Sequence, residues 1–395
     1  MPIPHGVHQQ RVDDVNAQLG AAGMDALFVQ GPSSDLQYLL GITREPHNTT
    51  DDNKYGDAIY GALLAPGRAP ALLVPRMGAA AHVASALAGS PWQDCITVIG
   101  DGVLSQLEDP VAVTRRALAA AGNPRRLGVI ARQWARGMFS LQAAAPGIEL
   151  SDAGPLLAKM RMIKDEHEIA LMRRAAAVTE RAFAAVLPQL DLGVTAQEIA
   201  QEIDRLFLRF GATGPSFHTG IRITGPGVVD LPFAGRKVGD TPIQPGCVIS
   251  FDLGAVVDGY ASDFGRTVFW GEARPDIVRL HDAIMASQAA AILAMRSGQI
   301  TAAGLNGVAR RVIEEAGFGD GFTHRLGHGI GIDVHEEPFL FPGDDTTLES
   351  GMCFTVEPSI RLPGLAGVRV EDVVMVTPKG GDSLHSFSRE LLVMG

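Results

Sequence analysis

The stretch FDLGAVVDGYASDFGRT, residues 251–267, carries an aspartate near each end of an apolar segment that turns back on itself. Asp258 and Gly259 stand at its centre, and an Asp-Gly pair between two apolar runs favours a tight hairpin turn. We therefore predict that Asp258 is a turn residue and that the hairpin brings Asp252 and Asp263 onto neighbouring strands. Because side chains alternate along a strand, Asp263 shares its face with small residues, which leaves room for an ion.

Three further potential metal ligands follow: His328 in LGHGIG, Glu357 in TVEPS and Glu371 in VRVEDV. Carboxylates rarely enter a core unpaired, because desolvation costs several kcal/mol per ion. Four carboxylates that converge repel one another, and divalent cations remove that penalty. The five residues together predict a metal centre. Each alone has a simpler explanation, since His328 can be a core histidine and either glutamate can pair with Arg361 or Arg369.

A set of four carboxylates and one imidazole suits two ions that are bridged by carboxylates. Oxygen-rich ligand sets favour manganese, and the single histidine also admits cobalt, zinc or iron. Two ions ~3.5–4 Å apart can share a hydroxide, lower its pKa and polarise a carbonyl group. We therefore expect hydrolytic chemistry, with two divalent metal ions as cofactors.

The remaining pattern predicts two domains. Helical and strand-like stretches alternate in the N-terminal part, which indicates an α/β domain over residues 1–157. Residues 158–395 are predicted to form an α+β domain in which helices flank a curved antiparallel sheet. A helical stretch begins this domain and is interrupted near Lys164 and Asp165, and TAQE from Thr195 predicts a capping box with the glutamate three positions later.

Composition excludes several classes of protein. Of 395 residues, 46% are hydrophobic and 19% charged, which indicates a soluble globular chain. The net charge of −11 argues against a nucleic-acid partner. No apolar run reaches ~18 residues, so we expect no membrane span. Cys95, Cys247 and Cys353 lie far apart, which predicts no disulfide framework and a cytoplasmic protein.

At the predicted ligands the sequence resembles the pita-bread metallopeptidase family, which includes methionine aminopeptidase, aminopeptidase P, prolidase and the metal-free creatinase. The motifs FDLGAVVDGYASDFGRT, GHGIGIDVHEEP, FTVEPSI and GVRVEDVV follow the family's order, and KMRMIKDEHEIALMRRAA is a typical helical entry. The resemblance covers essentially the whole chain. It implies a C-terminal pita-bread fold, an N-terminal creatinase/prolidase-type α/β domain and a homodimer.

The resemblance also implies roles for individual ligands. Asp252 and Asp263 would bind one ion, His328 and Glu357 would bind the other, and Asp263 and Glu371 would bridge the two. Glu357 would in addition accept a proton from the bridging water.

Substrate contacts follow from the same resemblance. His335 matches the family's second histidine, which hydrogen-bonds substrate or the developing oxyanion, and the alternative is a turn-capping histidine beside Glu336. His328 and Arg369 are further predicted substrate contacts.

The polar loop REPHNTTDDNKYGDAIYG could reach the site of a neighbouring subunit, or could simply be exposed to solvent. Its candidate residues are His47, Asn48 and Tyr55.

The sequence departs from the family pattern near the site. Phe233 stands where the family carries a histidine that donates to the substrate, and His218 is the nearby histidine that could substitute for it or cap a strand. Gly265 replaces a residue with a hydroxyl group. Because the loss of one oxyanion donor costs ~10²–10³ in rate, the substrate could differ from a dipeptide.

Three hypotheses remain open from the sequence. The leading one is a dinuclear hydrolase of the Xaa-Pro dipeptidase or aminopeptidase P type, acting on a short peptide. The second is a non-peptide enzyme on the same fold, either a creatinase-like C–N hydrolase or a lyase for a small zwitterion. The third is a binding module without catalysis, which the retention of all five ligands disfavours.

Overall fold

A computed structural model of the protein describes residues 3–43, 59–75, 80–99, 109–130, 132–225, 240–362 and 365–395. The chain divides into two units, Met1–Arg161 and Met162–Gly395. Four residues that the sequence singles out lie outside the described residues, namely His47, Asn48, Tyr55 and Phe233.

The first unit is built on a six-stranded sheet. Its strands are β1 (Ala26–Gln30), β2 (Gly61–Leu64), β3 (Ala71–Pro75), β4 (Ile96–Ile99), β5 (Arg126–Val129) and β6 (Glu149–Asp152). The strand order is β4-β3-β2-β1-β5-β6. The β1, β2 and β3 neighbours are antiparallel and the other neighbours are parallel.

Six helices accompany this sheet along the chain: α1 (His5–Leu19), α2 (Ser34–Leu40), α3 (Ala80–Ala86), α4 (Pro110–Ala120), α5 (Ala135–Ala144) and α6 (Gly154–Met162). Apolar side chains of the sheet, among them Phe28, Leu63 and Leu127, pack with α4 and α5 in one core. The predicted α/β alternation is therefore present. Helix α1 ends at Leu19, and Gly23, with a φ of 75°, belongs to the turn that leads into β1.

The second unit carries four helices and fourteen strands in the described residues. The helices are α7 (Glu166–Val186), α8 (Ala196–Arg209), α9 (Pro275–Ala294) and α10 (Ala302–Glu315). The strands are β7 (Gly214–Pro215), β8 (Gly220–Thr224), β9 (Val248–Leu253), β10 (Ala255–Val257), β11 (Tyr260–Ala261), β12 (Phe264–Trp270), β13 (Gly327–Gly329), β14 (Glu336–Leu340), β15 (Cys353–Val356), β16 (Ser359–Leu362), β17 (Ala366–Arg369), β18 (Asp372–Thr377), β19 (Gly380–Ser383) and β20 (Leu392–Met394).

Two larger sheets organise this unit. One has the order β20-β12-β9-β8 and the other the order β14-β13-β15-β18-β19. Within them the neighbours are antiparallel, except for β12 and β20, which are parallel. A backbone bridge between Gly265 and Glu371 joins the two sheets, so the predicted ligands in or next to β9, β12, β13, β15 and β18 meet along one seam.

Local signals explain where the helices begin. Asp165 caps α7 and forms a capping box with Glu168, which confirms the predicted interruption of the helical stretch. Thr195 and Glu198 form the predicted capping box at the start of α8. Helices α7 and α8 pack against β8, β9 and β12, and α9 and α10 pack against the other sheet.

Helix α9 has the length and the mean hydropathy, 1.2, of a membrane span, although 44% of that stretch is buried inside the unit. Its Ile277, Leu280 and Ile284 belong to a core shared with α10 and the neighbouring strands. Burial of this kind is typical of a core helix. All three cysteines are free, as predicted.

Candidate metal centre

A tight hairpin positions the first two predicted ligands, Asp252 and Asp263. Asp258 and Gly259 have φ values of 49° and 82° and connect β10 to β11, so Asp258 is the predicted turn residue. Its carboxylate is half exposed and accepts a hydrogen bond from Arg174 at 2.6 Å. Beyond the hairpin, Asp252 lies opposite Gly265 in the pairing of β9 with β12, and Asp263 immediately precedes β12.

Three carboxylates converge at this point. Oxygen atoms of Asp252, Asp263 and Glu371 all lie within 4.8 Å of one another. Asp263 is 4% exposed and Glu371 is fully buried. Burial first, and then the charges of the neighbouring carboxylates, raise the pKa values of Asp263 and Glu371 well above their ordinary range.

His328 faces the same group from β13. Its Nε2 atom lies 3.4 Å from Glu357 Oε1 and 3.7 Å from Asp263 Oδ2. Its Nδ1–H donates to the Gly329 carbonyl at 3.0 Å, so the lone pair of Nε2 points to the carboxylates. Burial lowers the pKa of His328 to about 3, which keeps the ring neutral and able to bind a metal ion.

Glu357 completes the set of five. It is 8% exposed, and burial raises its pKa to about 7 although the nearby Arg369 charge acts in the opposite direction. Thr355 donates a hydrogen bond to Glu357 Oε1 at 3.3 Å. The side chain therefore has a fixed orientation beside His328.

Arg369 lies among these acids. Its Nη1 atom is 2.7 Å from Asp252, 2.8 Å from Glu371 and 3.4 Å from Glu357. Burial alone would lower the pKa of Arg369, but the carboxylate charges raise it. Pairing of both glutamates with an arginine, which the sequence left open, is therefore present together with the carboxylate cluster.

Gly265 makes room for this arrangement. A Cβ atom at position 265 would lie 2.6 Å from Arg369 Cδ and 2.9 Å from Glu371 Cβ. Its backbone exchanges hydrogen bonds of 3.2 and 3.0 Å with Glu371. The absence of a side chain at the position where the family has a hydroxyl residue thus lets two charged side chains pack against β12.

The donor set fits divalent cations. Asp263 Oδ1 and Glu371 Oε1 are buried and have no hydrogen-bond partner among the described residues. Orphaned carboxylate oxygens inside a like-charged cluster are costly, and metal ligation satisfies them. The structure therefore brings together all five predicted ligands in an arrangement that a pair of ions would stabilise.

A cavity of about 1090 Å³ opens onto the cluster. His335 lines it and is exposed, and its ring lies beside that of His328, with centroids 4.2 Å apart and ring planes inclined by 54°. Burial and then the Arg325 charge lower the pKa of His335. His218 also lines the cavity, and its Nδ1–H donates to the Thr219 carbonyl at 3.0 Å, so one side of its ring is engaged.

The sequence did not single out His324 or Arg325, although both line the cavity. His324 Nε2 lies 2.5 Å from the Ser359 hydroxyl, and its Nδ1 donates to a backbone carbonyl. The available signal was their position directly before the LGHGIG motif, where a loop that carries a ligand enters the cavity.

Two models of known protein families match successive parts of the chain. The family model described as Metallopeptidase family M24 matches residues 170–378, and the model described as Creatinase/Prolidase N-terminal domain matches residues 11–163.

The chain belongs to metallopeptidase family M24. An Xaa-Pro dipeptidase of Lactobacillus delbrueckii subsp. lactis is 32% identical over 97% of this chain and 98% of its own length. A probable dipeptidase PepE of Mycobacterium tuberculosis is 33% identical over 98% of this chain and 97% of its own. The crystal structure of dipeptidase PepE from Mycobacterium ulcerans covers 100% of this M24 chain and 99% of its own, with 30% identity and a TM-score of 0.80.

M24 membership confirms the predicted fold class and the predicted metallohydrolase. The family implies divalent metal ions as cofactors. The hypothesis of a binding module without catalysis is not supported, because the M24 chain retains the complete donor set at its cavity.

Proposed function

We propose that this M24 protein is a metal-dependent Xaa-Pro dipeptidase, which hydrolyses the amide bond that precedes a proline. One observation carries the proposal: five potential ligands converge on a cavity in a chain whose full-length relatives are named dipeptidases. The converging residues are Asp252, Asp263, His328, Glu357 and Glu371.

Asp252 and Asp263 would hold one ion, His328 and Glu357 the other, and Asp263 and Glu371 would lie between them. When bound, such ions supply a polarised carbonyl and a water molecule of lowered pKa.

The side chains of the cavity have separate tasks in this proposal. Glu357 accepts a proton from the attacking water, since its orientation is fixed by the Thr355 hydroxyl. His335 donates a hydrogen bond to the oxygen of the substrate carbonyl, because its exposed ring faces the cavity beside His328. His218 contacts the substrate at the cavity wall, from the segment between β7 and β8.

Hydrolysis of a panel of Xaa-Pro dipeptides after metal reconstitution tests the proposal. We expect turnover that a chelator abolishes, and a loss of more than about 100-fold in kcat/KM for Asp263→Asn. Asp258→Asn is the matched control, because this hairpin aspartate lies on the surface and should leave turnover unchanged. No turnover of any Xaa-Pro dipeptide by metal-loaded protein would remove the assignment.

The non-peptide alternative is not favoured, because the full-length relatives are named as dipeptidases. Peptide hydrolysis is also compatible with Phe233 in place of the family's histidine, because His218 lines the same cavity and can supply the missing hydrogen bond. His218→Ala should then lose about 100-fold in rate, and an unchanged rate would exclude this role.

Manganese is the proposed metal, because four of the five ligands are carboxylates. Reconstitution with manganese, cobalt, zinc and iron in turn should give the highest turnover with manganese. A higher turnover with zinc at equal occupancy would assign the site to zinc.

We further propose a cytoplasmic homodimer with an N-terminal domain of residues 1–157 and a catalytic domain of residues 158–395. Three free cysteines support the reducing compartment. Light scattering at several concentrations should give twice the mass of one chain, 41.7 kDa, and a single-chain mass would exclude the dimer.

A further inference from the structure

Arg266 is a buried cation that lies behind the predicted metal centre. It belongs to β12 and is 1% exposed. Because side chains alternate along a strand, Arg266 points to the face of β12 opposite to that of Gly265, against which Glu371 packs. Its guanidinium carbon lies 4.1 Å from the centroid of the Phe264 ring on the same rear face. Arg266 thus approaches the bridge between the two sheets from the side away from the Glu371 carboxylate.

The Nη1 group of Arg266 joins the two backbone carbonyls of that bridge. It donates to the Glu371 carbonyl at 2.8 Å and to the Gly265 carbonyl at 2.7 Å. Each carbonyl also accepts a hydrogen bond from the backbone N–H of the other residue, at 3.2 and 3.0 Å respectively. Both lone pairs of each oxygen are therefore used, which fixes the peptide groups on the two sides of the bridge. Arg266 thereby fixes the backbone of a predicted metal ligand.

The other donors hold the guanidinium itself in place. Nη2 donates to Asp372 Oδ1 at 2.8 Å and to the Phe387 carbonyl at 2.9 Å, and Nε donates to the Ser388 carbonyl at 2.7 Å. The second oxygen of the fully buried Asp372 accepts from Arg389 Nε at 2.5 Å. Every N–H of the planar Arg266 guanidinium therefore has an acceptor, so the group has a single orientation.

This arrangement specifies a position at the cost of burying charges. A buried ion pair is weak evidence for stability, because apolar side chains of similar volume often stabilise a fold as well or better. The pair of Arg266 with Asp372 instead determines where the Glu371 peptide lies. Groups that orient a metal ligand through hydrogen bonds typically change metal affinity by about 10- to 100-fold when they are replaced.

We propose that Arg266 is a positioning residue that fixes the backbone of Glu371 so that its carboxylate can bind between two metal ions. This inference rests on the metal centre of the proposed function. Asp372 and Arg389 support Arg266 by holding its guanidinium in one orientation. Because all the donors of Arg266 are used by these acceptors and by backbone carbonyls, it acts on the centre only through the backbone.

Titration of metal-free protein with manganese tests this role without substrate. Calorimetry gives the number of ions bound per chain and their affinities, and electron paramagnetic resonance distinguishes an exchange-coupled manganese pair from separate ions. Arg266→Lys keeps the positive charge beside Asp372 but loses the planar fork. Arg173→Lys is the matched control, because it makes the same change in an exposed ion pair with Asp382. Circular dichroism establishes that each variant is folded.

Wild-type protein and Arg173→Lys should bind two ions per chain and give the coupled signal. Arg266→Lys should bind the second ion about 10- to 100-fold more weakly and give the signal of separate ions. A coupled signal with unchanged affinities in folded Arg266→Lys overturns the proposal, as does the lack of a coupled pair in wild type.

Arg389→Met provides a second test if Arg266→Lys does not fold. The Arg389 side chain is 33% exposed, so its replacement should leave the fold intact while Asp372 loses one of its two partners. We expect the second manganese ion to bind about 3- to 10-fold more weakly, and unchanged binding overturns the proposal.

Turnover of Ala-Pro, measured on the same samples, separates this inference from the proposed function. Wild-type protein that binds a coupled manganese pair but cleaves no Xaa-Pro dipeptide would remove the peptidase assignment. The manganese affinities of Arg266→Lys and Arg389→Met would still decide whether Arg266 positions Glu371.

Discussion

At Asp263, burial and repulsion by neighbouring carboxylates act on a single side chain of the metal centre. It is buried, its Oδ1 atom has no partner among the described residues, and its neighbours Asp252 and Glu371 are also acids. Arg369 pairs with those two neighbours. A negative charge on Asp263 therefore destabilises the folded protein unless a cation is bound.

Asp263→Asn should reverse the order of stability between two conditions. In chelator the variant should be more stable than wild type by about 1–2 kcal/mol, because one buried like charge is removed. In excess manganese wild type should be the more stable protein, since binding at 100 times Kd adds about 2.7 kcal/mol. Urea unfolding with chelator and with manganese checks both signs. A variant that is less stable than wild type in chelator would contradict the repulsion.

Short-range signals made part of the site predictable from sequence. The Asp258-Gly259 turn and the capping box of Thr195 depend on neighbouring residues, and both are present. The place of Arg369 could not be predicted, because it depends on the bridge that joins Gly265 to Glu371, far apart in the chain. Arg325 was missed for a related reason: its lack of a partner is visible only once the cavity has formed.

Among the elements, the turn before β14 determines where His335 stands. Glu336 Oε1 accepts hydrogen bonds from the backbone of Ile332 at 3.0 Å and of Asp333 at 3.1 Å. Lys164 donates to Glu336 Oε2 at 3.0 Å, and both side chains are almost completely buried. The segment before α7 thus anchors the turn that presents His335 to the cavity.

Removal of one charge of the buried Lys164–Glu336 pair should destabilise the protein more than removal of both charges. We expect Lys164→Met to destabilise the protein by about 3–5 kcal/mol, because Glu336 is left charged and buried. Lys164→Met combined with Glu336→Gln should recover at least about 1 kcal/mol, since the amide oxygen still accepts from the turn. Urea denaturation of the single and double variants measures the coupling. Strict additivity would mean that the pair does not interact.

Which strands pair was only partly predictable from the sequence, because some pairs join residues that are far apart in the chain. An antiparallel sheet flanked by helices follows from the apolar patterns and is observed. The parallel contact of β20 with β12 joins the C-terminus to the middle of the chain, and neither strand carries a local signal for it.

At the scale of the whole second unit, Glu180 ties α7 to the C-terminal segment. It accepts hydrogen bonds from the backbone of Phe387 at 2.7 Å and the hydroxyl of Ser386 at 2.9 Å, with His385 Nδ1 3.6 Å away. Burial acts to raise its pKa, but these partners outweigh burial and lower the pKa to about 2. The contact therefore depends on an ionised carboxylate.

In acid, the stability of the folded protein should depend on the ionisation of Glu180. A lowered pKa contributes stability above the ordinary value of 4.5, and that contribution is lost as the pH falls toward 2. We expect Glu180→Gln to be less stable than wild type at pH 6, with a difference that shrinks steadily between pH 4.5 and 2. Unfolding curves of both proteins over this range check the sign. A difference that is constant with pH would exclude ionisation as its cause.

Anomalous diffraction from crystals grown with manganese tests most directly whether the five converging side chains are a dinuclear metal centre. The account predicts two peaks ~3.5–4 Å apart, with Asp252, Asp263, His328, Glu357 and Glu371 as their protein ligands. Crystals with ample manganese but no peak at this cluster, or with peaks bound by other residues, would contradict it.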